Sequence, residues 1–186
     1  MKWIQILAVS LVALASCRTS ATGPYSSPAE SARDTSAAEK LNRKAAEFID
    51  TDPSNAESLL REALTKDVFC GPAHNNLGVV FLNQGKLYEA ANEFEWARKL
   101  LPDSADPRVN LAITMERAGR TEDAFRSYLA ALEVAPNCIS AEQGAARNVI
   151  SSGRTEARLA GWLKRIALEG ETAEWRDWAR ARLVAR

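Results

Sequence analysis

The feature that most constrains this chain is a period. Ala56, Ala90 and Ala124 stand 34 residues apart, and Ala63, Ala97 and Ala131 keep the same step. Leu60, Phe94 and Tyr128 fall on it, as do Asn42, Asn76 and Asn110, Leu77 and Leu111, and Pro102 and Pro136. Gly85, Gly119 and Gly153 complete the set, each followed by Lys or Arg. A unit this short cannot enclose a core alone. It buries its apolar face only against the next copy, so the chain must stack into an array.

Inside each copy the apolar residues keep helical spacing, as in Leu77 and Phe81, then Ala90, Phe94 and Ala97. No run alternates as a strand would. The glycines end the first helix of each pair, because only Gly takes the left-handed conformation there without strain. Pro102 and Pro136 close the second helix, and Asp52-Pro53, Gly71-Pro72 and Asp106-Pro107 put a Pro at or near a helix start. Gly78 and the alanines leave room for close helix approach.

This pattern resembles the tetratricopeptide repeat (TPR). The best copy, 71–104, has His74, Leu77, Gly78, Phe81, Ala90, Phe94, Ala97 and Pro102 at signature positions, and 105–138 has Leu111, Ala112, Met115, Ala124, Tyr128, Ala131 and Pro136. The resemblance implies an all-α, right-handed solenoid of about four helix pairs over 37–170 (37–70, 71–104, 105–138 and 139–170), with a capping helix at 171–186. Nine helices are expected. The ends depart from the pattern. Arg43, Lys44 and Glu47 stand where core residues are usual in the first copy, and Arg158 and Arg165 replace small residues in the fourth. Terminal repeats need polar outer faces, so such departures are expected.

The N-terminus reads as a processing signal. Met1 and Lys2 precede an apolar stretch from Ile4 to Ala15, shorter than the roughly 18 residues that span a bilayer. It ends in Leu14-Ala15-Ser16-Cys17, which resembles the bacterial lipobox. That resemblance makes 1–16 a lipoprotein signal and Cys17 the lipidated first residue, carrying diacylglycerol and an amide-linked fatty acid such as palmitate. Several acyl chains give stable anchoring where one is marginal. Arg18, not Asp, follows the Cys, which in enteric bacteria points to the outer membrane. Residues 17–36 hold the lipidated Cys and a Ser-, Thr-, Ala- and Pro-rich tether. The tether cannot bury a core and spans roughly 20–25 Å root-mean-square.

Charge and composition narrow the function. The 24 Lys+Arg balance 24 Asp+Glu, which argues against a nucleic-acid partner. One His and no paired Cys motif argue against a structural zinc site. No phosphate loop, nucleophile elbow or metalloprotease helix is present, so no catalytic residue, metal or cofactor is assigned. His74 reads as packing. Cys70 and Cys138 lie two repeats apart (68 is twice 34), on the order of 20 Å or more by helix spacing, too far to pair within one stack. Both are small packing residues at helix junctions, or they bridge to another molecule. Trp162, Trp175 and Trp178 form either the C-terminal core or a partly exposed docking patch.

In the family, the inner face of the solenoid binds partners. Its groove-facing positions map here onto Asn75, Val79, Leu82 and Asn83, then Val109, Ile113, Glu116 and Arg117, then Gln143 and Arg147. Asn42, Asn76 and Asn110 border the groove and either hold a bound peptide backbone or only link neighbouring repeats. The family's carboxylate clamp needs basic residues where Pro72, Asn75, Asp106 and Val109 stand, so that specificity is not expected. The expected function is a non-enzymatic, membrane-anchored scaffold that captures a protein segment with apolar anchors. In plan it is similar to the TPR lipoproteins of pilus assembly. The competing expectation is an adaptor that recruits cell-wall hydrolases or proteases.

Overall fold

The computed structural model describes residues 33–184. Among them the chain is all helix: α1 (Thr35–Ala46), α2 (Pro53–Lys66), α3 (Gly71–Asn83), α4 (Leu87–Leu100), α5 (Asp106–Arg117), α6 (Thr121–Val134), α7 (Ile139–Ser152), α8 (Leu159–Glu169) and α9 (Ala173–Val184). None of these helices is long and apolar enough to cross a membrane. The lipobox, Cys17 and nearly all of the expected tether lie outside the described residues.

Local chemistry sets the helix ends. Asp34 and Asp52 cap α1 and α2 by accepting from the Ala37 and Asn55 N–H groups, satisfying donors that the first turn leaves open. Prolines occupy the first positions of α2, α3 and α5, where a missing N–H costs nothing. Gly85, Gly119 and Gly153 have φ of +75°, +73° and +65°. Just beyond them the chain folds back in the same way each time. The Lys86, Arg120 and Arg154 N–H groups reach the Phe81, Met115 and Val149 carbonyls at 2.9, 2.8 and 3.1 Å. The three positive-φ glycines therefore give three copies of one turn.

Each helix packs on its chain neighbour, and α1, α3, α5 and α7 also lie against one another in a row. The even-numbered helices do not touch each other in this way. The stack therefore curves, with the odd row on its inner side. The core runs through it in two linked clusters, one under α1 to α4 and one from α5 to α9, joined where Ile113 and Met115 touch both. Leu60, Leu77, Phe94 and Tyr128 are fully buried, worth about 2 kcal/mol of apolar transfer each. Gly78 admits the Phe94 ring and Gly144 the Tyr128 ring.

The terminal departures resolve by rotation and by pairing. Arg43, Lys44 and Glu47 are exposed. The first helix instead buries Ala38 and Ala45, with Leu41, Phe48 and Ile49 packed beside them. In the fourth pair, α8 turns Leu159, Trp162, Leu163 and Ile166 inward. Arg158 pairs with Glu156 at 2.8 Å and Arg165 with Glu142 at 3.1 Å, so both guanidiniums stay outside the apolar core.

A buried ion pair fixes the start of the array. The Arg33 guanidinium grips Asp67 with Nε to Oδ1 at 2.8 Å and Nη2 to Oδ2 at 3.0 Å, and Thr35 and the Phe69 N–H also donate to this carboxylate. The Arg33 hydrogen bond holds the Asp67 carboxyl below its usual range against the opposing effect of burial. It staples the entry of α1 to the turn before α3.

Candidate functional site

The inner face begins with a row of carboxamides. Asn76 Nδ2 donates to Asn42 Oδ1 at 2.9 Å, and Asn110 Nδ2 donates to Asn75 Oδ1 at 3.1 Å. These bonds join α1 to α3 and α3 to α5, so the repeated asparagines link repeats. Each bond uses one polar atom per side chain, so each carboxamide keeps further donor or acceptor capacity. Val79 and Ile113 lie half-buried between them, giving an apolar floor with amide edges.

Further along, the ladder changes chemistry. Glu116 on α5 accepts from the Tyr128 hydroxyl at 3.0 Å and from Arg147 on α7. Burial, then the nearby Glu116 charge, pushes the Tyr128 phenol far above its ordinary range, so it acts as a fixed donor. Arg117 donates Nη1 to the Leu82 carbonyl at 3.0 Å, closing the C-terminal end of α3. Arg147 also lies over the Trp175 ring, 5.5 Å from its centroid, and Trp175 meets Trp178 edge to face at 5.3 Å. A broader depression of about 930 Å³ runs along the turns after α4 and α6. It is an open seam between repeats, lined by both turns.

Three of the expected groove residues are core instead. Leu82 is 5% exposed, Val109 7% and Gln143 2%. Leu82 and Val109 turn from the groove because they sit under the next helix of the stack. Gln143 is covered from outside: with its amide oriented so that both atoms find partners, it donates to Glu171 Oε2 at 2.9 Å and accepts from the Glu171 N–H at 3.0 Å. Asn75, Asn76, Val79, Asn83, Asn110, Ile113, Glu116, Arg117 and Arg147 remain at least partly accessible. No cluster of His, Cys, Asp or Glu among the described residues could hold a metal ion.

With this geometry in view, comparison with known proteins decides the family. The chain matches the protein kinase G tetratricopeptide repeat over residues 11–185. It belongs to that family. Among solved structures it is similar to MamA, with a TM-score of 0.60 and 17% identity over 80% of this chain and 81% of that one. It is also similar to the first TPR of Spaghetti (RPAP3) bound to an HSP90 peptide, with a TM-score of 0.62 and 15% identity over 66% of this chain and 98% of that one. An O-GlcNAc transferase mutant of Thermobaculum terrenum gives a TM-score of 0.64 and 25% identity over 72% of this chain, which spans only 27% of that enzyme. No curated protein matches in sequence.

Several residues of this TPR array do structural work that the sequence leaves open. His74 is buried, with Nε2 at 2.9 Å from the Val68 carbonyl and Nδ1 at 2.6 Å from Glu93 Oε2. A carbonyl only accepts, so Nε2 carries a proton. The second contact ties α3 to α4 through Nδ1 and the Glu93 carboxyl. Glu93 is the partner that sequence reasoning missed. Cys70 and Cys138 are unbridged at the starts of α3 and α7. Burial raises the Cys70 thiol, which suits packing and not exchange. Trp162 is core, whereas Trp175 and Trp178 are half-buried at its margin.

Glu142, in the first turn of α7, carries a pH signal. It is 1% exposed, and its Oε2 has no hydrogen-bond partner among the described residues. Burial pushes its carboxyl from 4.5 up to about 7, opposed by Arg165 and reinforced by Glu169. Folding therefore favours the protonated acid. Its contribution to stability is complete below about 4.5 and is lost as pH rises through about 7. The loss approaches about 3 kcal/mol. Thermal midpoints should accordingly fall between about pH 5 and pH 8, and Glu142→Gln should flatten that fall. An equally steep fall in the variant would assign the dependence elsewhere.

Proposed function

We propose that this TPR chain is a non-catalytic, lipid-anchored scaffold of the bacterial envelope that holds a segment of a partner protein on its inner face. The observation that carries the reading is the row of Asn75, Asn76 and Asn110 amides flanking Val79 and Ile113. Carboxamides with spare donor and acceptor capacity match a peptide backbone, and the apolar floor between them takes side chains. The TPR of Spaghetti, of similar fold, is bound to a peptide. The lipobox sequence at Cys17 supports the anchor, and the Arg18 that follows supports the outer membrane, facing the periplasm. A tether of roughly 20–25 Å would let the array reach an assembling pilus or secretion complex.

The test is affinity capture from crosslinked, detergent-solubilised envelopes, with partners identified by mass spectrometry. Capture should yield pilus or secretin components, and Cys17→Ala should abolish it. Changing Asn76, Val79 and Ile113 together to alanine should lower partner recovery at least about tenfold. Recovery of cell-wall hydrolases would replace the assembly reading with an adaptor. Undiminished capture by the triple variant would remove the groove from the mechanism.

A further inference from the structure

The outer side of the stack carries a crevice whose chemistry departs from the period. The even helices α4 and α6 do not pack on each other, and a gap of about 210 Å³ between them is backed by α5. Glu95 and Arg98 of α4, Arg108 of α5, and Arg126, Ser127 and Ala130 of α6 line it. Arg108 stands 34 residues after His74, Ser127 34 after Glu93, and Ala130 34 after Trp96. In the earlier seam the imidazole meets its own carboxyl at 2.6 Å and the indole stacks on it, with centroids 5.8 Å apart. In the later seam a guanidinium replaces the imidazole, a hydroxyl replaces the acid, and the indole is gone. The basic group is larger and its carboxyl partner has been removed.

The hydrogen bonds show what each guanidinium has left to offer. Arg108 donates Nη1 to the Ser104 and Leu101 carbonyls at 2.6 and 3.5 Å and has no carboxylate partner among the described residues. Its Nε and Nη2 keep donor capacity. Arg98 donates Nε to Glu95 at 2.5 Å, and Arg126 pairs through its Nη atoms with Asp123 and Glu122. Those two acids are shared with Arg120 and Arg154, so they do not cancel the local excess. In the lining itself three guanidiniums stand against one carboxylate, Glu95, which leaves two positive charges in excess.

We infer that this crevice binds the phosphate group of a phosphomonoester, on a soluble ligand or on a lipid headgroup. Such a group carries about two negative charges near neutral pH and three strong acceptor oxygens. Its charge matches the excess in the lining, and its oxygens match guanidiniums supplied by three helices. A carboxylate has one charge and two oxygens, which a single guanidinium satisfies bidentately. The planar donor fork of Arg suits phosphate better than a point charge does. The site lies between the even helices, away from the groove on the inner face, and does not depend on that reading.

The experiment titrates the full chain in neutral detergent with glycerol phosphate, followed by calorimetry. Parallel titrations use micelles containing phosphatidic acid or, as control, phosphatidylcholine. Glycerol phosphate should bind saturably at or below about 1 mM, and more weakly as salt rises. Arg108→Gln should weaken it at least about tenfold, with helicity by circular dichroism unchanged. Ser127→Glu, which returns the acid that Glu93 supplies one repeat earlier, should do the same. If either variant loses helicity, Arg98→Gln, at an exposed side chain, gives the same reading. Phosphatidic-acid micelles that bind and lose affinity with these variants would place the phosphate on a headgroup, and micelles that do not bind would make the ligand soluble. The inference is overturned if glycerol phosphate shows no saturable binding, if acetate binds as tightly, or if the variants bind undiminished. Attraction to phosphatidic-acid micelles alone would also overturn it, as a diffuse effect of surface charge.

Discussion

Replacing His74 by Leu should lower the stability of the array by about 3 kcal/mol or more. The imidazole sits between the Val68 carbonyl and Glu93, and both side chains of the pair are buried. Leu fills much of the space but offers neither ring nitrogen, so Glu93 and the Val68 carbonyl each lose a buried hydrogen bond. Removing one partner of a buried polar pair costs more than removing both, because the polar group left behind loses a hydrogen bond and stays buried. The double change His74→Leu with Glu93→Leu should therefore recover much of the loss. Urea unfolding of the single and double variants measures both. A double variant no more stable than His74→Leu would show that packing, and not the lost hydrogen bonds, sets the cost. A solenoid repeat is held only by its neighbours. Amide hydrogen exchange should consequently rise first in α3 and α4.

The second large effect is expected at Gly144. A Cβ there would sit inside the Tyr128 ring, nearer to its carbons than real Cβ atoms come to any atom. The ring cannot step aside, being 1% exposed and held at its hydroxyl by Glu116 at 3.0 Å. Gly144→Ala should cost at least about 2–3 kcal/mol, the upper range for overpacking. That corresponds to a fall of about 4–12 °C in midpoint for a chain of this size. Gly161, exposed in the first turn of α8, has nothing within 4 Å of its Cβ site. Gly161→Ala should therefore be neutral or stabilising by up to about 1 kcal/mol. The contrast separates a glycine needed for space from one that is not. An equal effect at the two sites would refute the packing argument. Because Tyr128 orients Glu116, and Glu116 orients Arg147, Gly144→Ala should also disturb the groove wall.

The period already contained a trace of this site. Asn42, Asn76 and Asn110 predict a fourth member at 144, and Gly stands there instead. In the third pair Tyr128 takes the place that Phe94 holds in the second, and its ring needs the volume that Gly144 vacates. The ladder thus passes from carboxamides to a phenol, a carboxylate and a guanidinium. A break in one column was visible in the sequence. The group that filled it was not, because Tyr128 reaches the site from the other helix layer.

The groove residues divide in a similar way. The family pattern places Leu82, Val109 and Gln143 on the same inner face as Val79 and Ile113, yet all three are covered. Helical phase sets a direction to within a fraction of a turn. Whether a side chain at that edge is open depends on how far the neighbouring helix leans over it. For Gln143 the cover is Glu171, from beyond the fourth pair, which no spacing within the repeat foretells.

What the sequence determined by itself was the repeating unit, the helical class and the turns. Those follow from local terms: apolar spacing and left-handed glycines act within one or two helices and recur with the period. Tertiary structure decided the stacking angles and everything that depends on them. The buried His74–Glu93 pair, the Glu142 acid beside Arg165 and the Glu116–Arg147 bridge each bring together groups from different helices. Small differences in how those helices lean move such groups by more than a hydrogen bond can span. The sequence carries no local term for that lean.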